Sequence, residues 1–125
     1  MPHEVLFGYL SRVERAIAQL SNAYVERYIE ELLSEERANL RIRIRFDSGK
    51  LLEINEAIVV NNNQLTSLDY RYHCQDAQNQ LVFRYDSTPH FPDLPTFPHH
   101  KHCPNDVVAS PKPDLEQVLQ EATAR

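Results

Sequence analysis

Arg71, His73, Arg84, Asp86, His99, His100, Lys101 and His102 crowd into one stretch, LDYRYHCQDAQNQLVFRYDSTPHFPDLPTFPHHKHC, from Leu68 to Cys103. These are the side-chain types that RNA phosphodiester cleavage needs when no metal takes part. A base removes the 2′-hydroxyl proton, an acid protonates the departing 5′-oxygen, and cations hold the charge that develops on phosphorus. His73 with one of the later histidines suits the acid–base pair, and Arg71, Arg84 or Lys101 suits the cation. Arg41, Arg43 and Arg45 add three guanidinium groups, whose planar forks match phosphate better than lysine does. Tyr70 and Tyr85 are the aromatic candidates for stacking on a base, although their spacing puts them on the apolar side of their segments. The competing reading of the same residues is a solvated sheet face laced with ion pairs.

The imidazoles also invite a metal reading. His99 and His100 are adjacent and do not readily face one ion, and neither a CxxC nor an HExxH spacing occurs. The expectation is therefore no metal and no cofactor, with His90, His100, His102 and Cys103 as the alternative ligand set. The HHKH run is also a candidate phosphate binder when its histidines are protonated. Only Gly8 and Gly49 occur in the chain, so a glycine-rich phosphate loop or dinucleotide fold is excluded.

The elements that must position these groups are legible from periodicity. Leu40, Ile42, Ile44 and Phe46 alternate strictly with Arg41, Arg43 and Arg45, which predicts a strand with its guanidinium groups on one side. Asp47-Ser48-Gly49-Lys50 is a turn, and Leu52, Ile54 and Ile58 return opposite Glu53 and Asn55. After the polar connection Asn61-Asn62-Asn63-Gln64, Leu68, Tyr70, Tyr72 and Cys74 alternate with Asp69, Arg71 and His73. Past a turn at 76–80, Leu81, Phe83 and Tyr85 alternate with Val82, Arg84 and Asp86. If the apolar sets share a core face, Asp69, Arg71, His73, Arg84 and Asp86 share the other. Residues 4–20 carry Leu6, Tyr9, Leu10, Val13, Ile17 and Leu20 at helical intervals, and 114–124 carry Leu115, Val118, Leu119 and Ala122 likewise. Residues 24–33 are rich in Glu and Leu, which leans helical, yet Tyr24, Val25, Tyr28 and Ile29 suit a strand; a strand is expected. Pro89, Pro92, Pro95 and Pro98 recur every third residue and predict an extended, polyproline-like arm. Residues 106–110 offer a further short extended pairing around Val107 and Val108.

With 125 residues, the chain is expected to be a single domain: an N-terminal helix over 1–22, an antiparallel sheet over 24–86, a Pro/His-rich arm over 87–112 and a C-terminal helix over 113–124. Its formal charge of −5 argues against indiscriminate adhesion to nucleic acid, so any RNA contact must use a local patch. The absence of a signal-peptide pattern or a long apolar run leads to an expected cytoplasmic location, no membrane contact, and free thiols at Cys74 and Cys103.

The motifs Tyr70-Arg71-Tyr72-His73 and Phe83-Arg84-Tyr85-Asp86, followed by Pro89-His90 and Pro98-His99-His100-Lys101-His102, resemble the signature of TumE-family toxins of prokaryotic toxin–antitoxin systems. The resemblance implies a toxin neutralised by a cognate antitoxin, and a role in RNA cleavage or other interference with translation. It also covers the paired segments on either side of Asp47-Ser48-Gly49, hence most of the chain. The expected fold is α+β: an antiparallel meander of four or five strands, with the N- and C-terminal helices packed on one face. Two activity classes stay open, an endoribonuclease and a non-catalytic RNA- or protein-binding module, with a small metal-binding domain and a homodimer as further options.

Overall fold

The computed structural model describes residues 2–124. Helix α1 (Glu4–Ala18) is followed by strands β1 (Ala23–Leu32), β2 (Arg37–Phe46), β3 (Leu51–Asn61), β4 (Gln64–Gln75), β5 (Leu81–Asp86), β6 (His100–His102) and β7 (Val107–Ala109), and by helix α2 (Leu115–Thr123). The strands form a single antiparallel sheet in chain order, so every neighbour in space is a neighbour in sequence. The α+β class and the meander are as expected. The strand count is not: seven strands pair among the described residues, against four or five expected, because the segment read as a proline arm contributes β6 and β7.

The strands form where alternation is strict. In β2, Ala38, Leu40, Ile42, Ile44 and Phe46 are buried, while Asn39 and the three arginines of the alternate set are not. Between β3 and β4, Asn62 and Asn63 take φ of 53° and 61°, the left-handed conformation that a tight two-residue hairpin requires and that asparagine tolerates. At the β2–β3 turn Gly49 has φ +93°, and a Cβ there would lie 2.7 Å from the Ala77 side chain. Helix propensity in β1 is overridden by pairing with β2 from Ala23↔Phe46 to Leu32↔Ala38, broken by a register shift between Val25 and Arg27. β1 is an edge strand and leaves Tyr24, Val25, Ile29 and Leu32 exposed.

Both helices cover one face. α1 is capped by the His3 ring, whose Nδ1 accepts from the Val5 amide at 3.1 Å, and it buries Leu6, Leu10, Val13 and Ile17. α2 starts with a capping box between Asp114 and Gln117 and buries Leu115, Val118, Leu119 and Ala122. Each fully buried aliphatic side chain of these stripes contributes roughly 1.5–3 kcal/mol. No helix among the described residues is long and apolar enough to cross a membrane.

One buried carboxylate lies in this interface. Glu56, 4% exposed, accepts from the Tyr72 hydroxyl at 2.8 Å and from the Tyr9 hydroxyl, and pairs with Lys112 at 3.1 Å. Burial and the nearby Glu56 charge push both phenols well above the usual tyrosine range, so they remain donors. Cys74 packs in the same layer, and burial raises its thiol to about 11; Cys74 and Cys103 are both free thiols.

The loop from 87 to 99 is not a polyproline rod. Leu94 N donates to Phe91 O, Phe97 N to Leu94 O and His99 N to Thr96 O, so successive tight turns shorten the segment. These bonds use amides between the prolines, and the three-residue proline spacing fits turns as well as it fits an extended helix.

Candidate functional site

The face away from the helices is arranged in cross-strand rows. One row runs Arg41, Asn55, Arg71, Asp86, His100 and Ala109 from β2 to β7; the next runs Arg43, Glu53, His73, Arg84, His102 and Val107. Antiparallel register makes each of these a direct neighbour of the next, with Cβ atoms about 4.5–5.5 Å apart. The expected sharing of a face by Arg71, His73, Arg84 and Asp86 is thus realised, and β6 extends it by His100 and His102. Asp69 lies one row further along, opposite Ala57, and its carboxylate accepts from the Ser87 hydroxyl at 3.3 Å.

At the β5–β6 end the groups converge. His100 Nε2 lies 2.8 Å from Asp86 Oδ1 and 3.1 Å from His102 Nε2, and His102 Nε2 lies 3.5 Å from Asp86 Oδ2. The Thr88 amide donates to Asp86 Oδ1 at 3.1 Å. Phe91, from the 87–99 loop, sets its ring edge-on against His100 and His102 at centroid distances of 4.9 and 5.9 Å. This loop contact accounts for a carboxylate and an imidazole that are 5% and 1% exposed on an otherwise open sheet face. The His102 side chain, 27% exposed, is the solvent-facing member of the group. Burial holds its ring below the usual histidine range, outweighing the attraction of Asp86 for a proton.

His73 is placed differently from the expected general base. Arg84 Nε donates to its Nδ1 at 3.1 Å, which makes Nδ1 the acceptor and leaves the proton on Nε2, 3.0 Å from Gln75 Oε1. Burial and the nearby Arg84 and Arg71 charges also hold this ring below its usual range. Both ring nitrogens are therefore committed, and His73 orients the Arg84 guanidinium. Among the described residues neither Arg41, Arg71 nor Arg84 has a carboxylate within 4.0 Å, so these three, which lie in the two rows, are free to meet a phosphate. Arg43 and Arg45 are not: both donate to Glu26, at 2.8 and 3.2 Å, and Arg43 also approaches Glu53 at 3.5 Å. A depression of about 490 Å³ is lined by Arg41 and Arg71 together with Glu31, Asn55, Asp69 and Thr88, among others.

Several expected site residues lie on the opposite face. Lys101 alternates away from His100 and His102 and pairs with Glu121 of α2 at 2.7 Å, over the Tyr85 ring. Burial lowers the Lys101 ammonium, but hydrogen bonds to Glu121 and Tyr85 outweigh it and raise the group overall. His99 turns to Tyr70, whose hydroxyl lies 3.0 Å from Nδ1, and the two rings stack. Tyr70 and Tyr85, 3% and 9% exposed, belong to the helix-covered core and offer no stacking surface to a base. Of the alternative metal set, His100 and His102 come together, but with Asp86 rather than His90 or Cys103. Gln75, Thr88 and Phe91, which hold His73, Asp86 and the two imidazoles in place, were not among the expected site residues, although Thr88 and Phe91 belong to the proline-spaced arm expected to present side chains. For Gln75 the only sequence signal was proximity to the ionisable residues.

No curated protein and no solved structure gave a match. A family model described as Toxin TumE matches residues 13–125, which include every strand and the whole Asp86–His100–His102 group. With most of its length matched by that model, the chain belongs to the TumE family of toxins.

Proposed function

We propose that this TumE-family toxin acts on RNA, cleaving the phosphodiester backbone on its open sheet face. The observation that supports this reading most directly is the convergence of Asp86, His100 and His102 beside Arg84, a guanidinium without a carboxylate partner that His73 holds in place. Arg84 and Arg71 bind the scissile phosphate, and the 490 Å³ depression receives an adjoining nucleotide. In the reaction the 2′-oxygen bonds to phosphorus as the P–O5′ bond breaks. The 2′-hydroxyl proton passes to the Asp86–His100–His102 group, with His102 as its solvent-facing member, and the departing 5′-oxygen takes up a proton from bulk solvent on the open face. The products are a 2′,3′-cyclic phosphate and a 5′-hydroxyl end. A cognate antitoxin is the partner that membership of a toxin family implies.

The test is expression of the chain with and without its antitoxin, together with end-group analysis of cellular RNA. Arg84→Ala and His102→Ala are expected to relieve growth arrest and to lower cleavage by about 10²–10³-fold, the usual effect of removing one group that stabilises developing charge. Lys101→Met, on the helix side, is expected to leave both unchanged. Undiminished toxicity in folded Arg84→Ala, or arrest without new 5′-hydroxyl ends, would refute the proposal.

A further inference from the structure

We infer that Asp86, His100 and His102 form a binding site for a divalent transition-metal ion of the Zn²⁺, Fe²⁺ or Mn²⁺ class. His100 Nδ1 lies 2.9 Å from the Pro98 carbonyl oxygen, which can only accept, so Nδ1 carries a ring proton. That leaves Nε2, with its in-plane lone pair, as the nitrogen that can bind an ion. That lone pair points at a carboxylate oxygen 2.8 Å away and at a second imidazole nitrogen 3.1 Å away. Three electron-rich atoms face one another in a site from which the loop with Phe91 excludes most water, and a positive centre between them satisfies all three at once.

The distances fit such a centre. Ligand bonds of about 2.0–2.2 Å at angles of about 90–110° separate the ligand atoms by about 2.8–3.6 Å. His100 Nε2 lies 2.8 Å from Asp86 Oδ1 and 3.1 Å from His102 Nε2, His102 Nε2 lies 3.5 Å from the other carboxylate oxygen, Oδ2, and one ligand atom from each residue lies within 4.8 Å of the others, so the carboxylate can meet an ion through either oxygen. Two imidazoles and one carboxylate on one side of an ion leave coordination positions open on the other, an arrangement associated with reactive rather than structural centres. The outer contacts also match: the Pro98 carbonyl receives the free N–H of one ligand imidazole, and the Thr88 amide donates to the ligand carboxylate. The ligands come from adjacent strands in direct register, Asp86 opposite His100 on β5 and β6, so no induced fit is needed to assemble them. His90, exposed on the 87–99 loop, and Cys103, in the β6–β7 turn, lie outside the group.

The ion's role as the group that activates the 2′-hydroxyl, or a water, against the phosphate held by Arg84 rests on the RNA reading above. Its binding does not. If it is correct, the expectation of metal independence drawn from the sequence is replaced.

The experiment uses the full chain stripped with a chelator, titrated with Zn²⁺ by calorimetry and with Co²⁺ by visible absorption, with RNA cleavage measured in parallel. One ion per chain is expected, with a Co²⁺ spectrum showing nitrogen and oxygen ligation. His102→Ala, the most accessible ligand, should remain folded by circular dichroism and weaken Zn²⁺ binding about 100-fold or more, since outer contacts alone are worth about 10–100-fold. Cys103→Ser and His90→Ala should bind as the parent does. Folded parent chain that shows no saturable binding overturns the site, as does binding untouched by His102→Ala or abolished by Cys103→Ser. Stoichiometric binding lost in His102→Ala, without any RNA cleavage, upholds the metal site and removes the nuclease reading.

Discussion

Glu56→Leu isolates the buried carboxylate under the helices from the chemistry on the open face. The side chain is 1% exposed, accepts two phenolic hydroxyls and pairs with Lys112. Leucine keeps the volume but removes every acceptor. The Tyr72 hydroxyl, in a fully buried residue, then loses its partner, and Tyr9, which is half-buried, loses its own. A buried hydroxyl left unpaired costs about 1–3 kcal/mol, with Tyr72 toward the upper end and Tyr9 toward the lower. Lys112, 27% exposed, can turn its ammonium to water and adds little. The variant should therefore lose about 3–4 kcal/mol, a drop in Tm of roughly 10–15 °C for a chain of this size. Adding Tyr9→Phe and Tyr72→Phe removes the stranded hydroxyls. Apolar replacement of a whole buried network is often close to neutral, so the triple variant should recover to within about 1 kcal/mol of the parent. Urea unfolding followed by fluorescence and circular dichroism measures all three chains. A single variant within about 1 kcal/mol of the parent, or a triple variant no more stable than the single, would refute the account of how Glu56 is satisfied.

Two further outcomes follow from the open face. His73 has a folded-state pKa held below 6.5 by burial and by Arg84 and Arg71, so the unfolded chain binds its proton first as pH falls. Its contribution to stability is full above about pH 6.5 and declines as pH drops through the folded value. His73→Gln, which retains an acceptor for Arg84, should therefore lose less stability than the parent between about pH 7 and pH 5, measured by urea midpoints; equal losses would contradict it. Glu26 is held below the usual carboxylate range by hydrogen bonds from Arg43 and Arg45. Glu26→Ala should free the Arg45 guanidinium, leave Arg43 only its approach to Glu53, and strengthen binding of a single-stranded RNA oligomer. The slope of log K against log salt should steepen by up to about 0.7 for each new phosphate contact; an unchanged slope in fluorescence anisotropy would count against a phosphate-binding face.

Much of the fold is written in the periodicity of the chain. The alternation of β2 to β5 and the 3–4-residue stripes of α1 and α2 depend only on near neighbours, and the same alternation put Arg71, His73, Arg84 and Asp86 on one side. Period alone could not choose between helix and strand for β1, where pairing along β2 outweighs a helical lean. Nor could it show that His100–His102 is a strand, because three residues among prolines carry too little pattern. That strand decides the site. Its pleat sends His100 and His102 to the open face and Lys101 to the helices, and His99, the residue before it, reaches Tyr70 on the helix side. Composition alone determined that acid, imidazole and guanidinium were present. Which of them touch was settled only when the 87–99 loop closed β6 onto β5, because residues remote in the chain meet through hydrogen-bonded register and not through spacing.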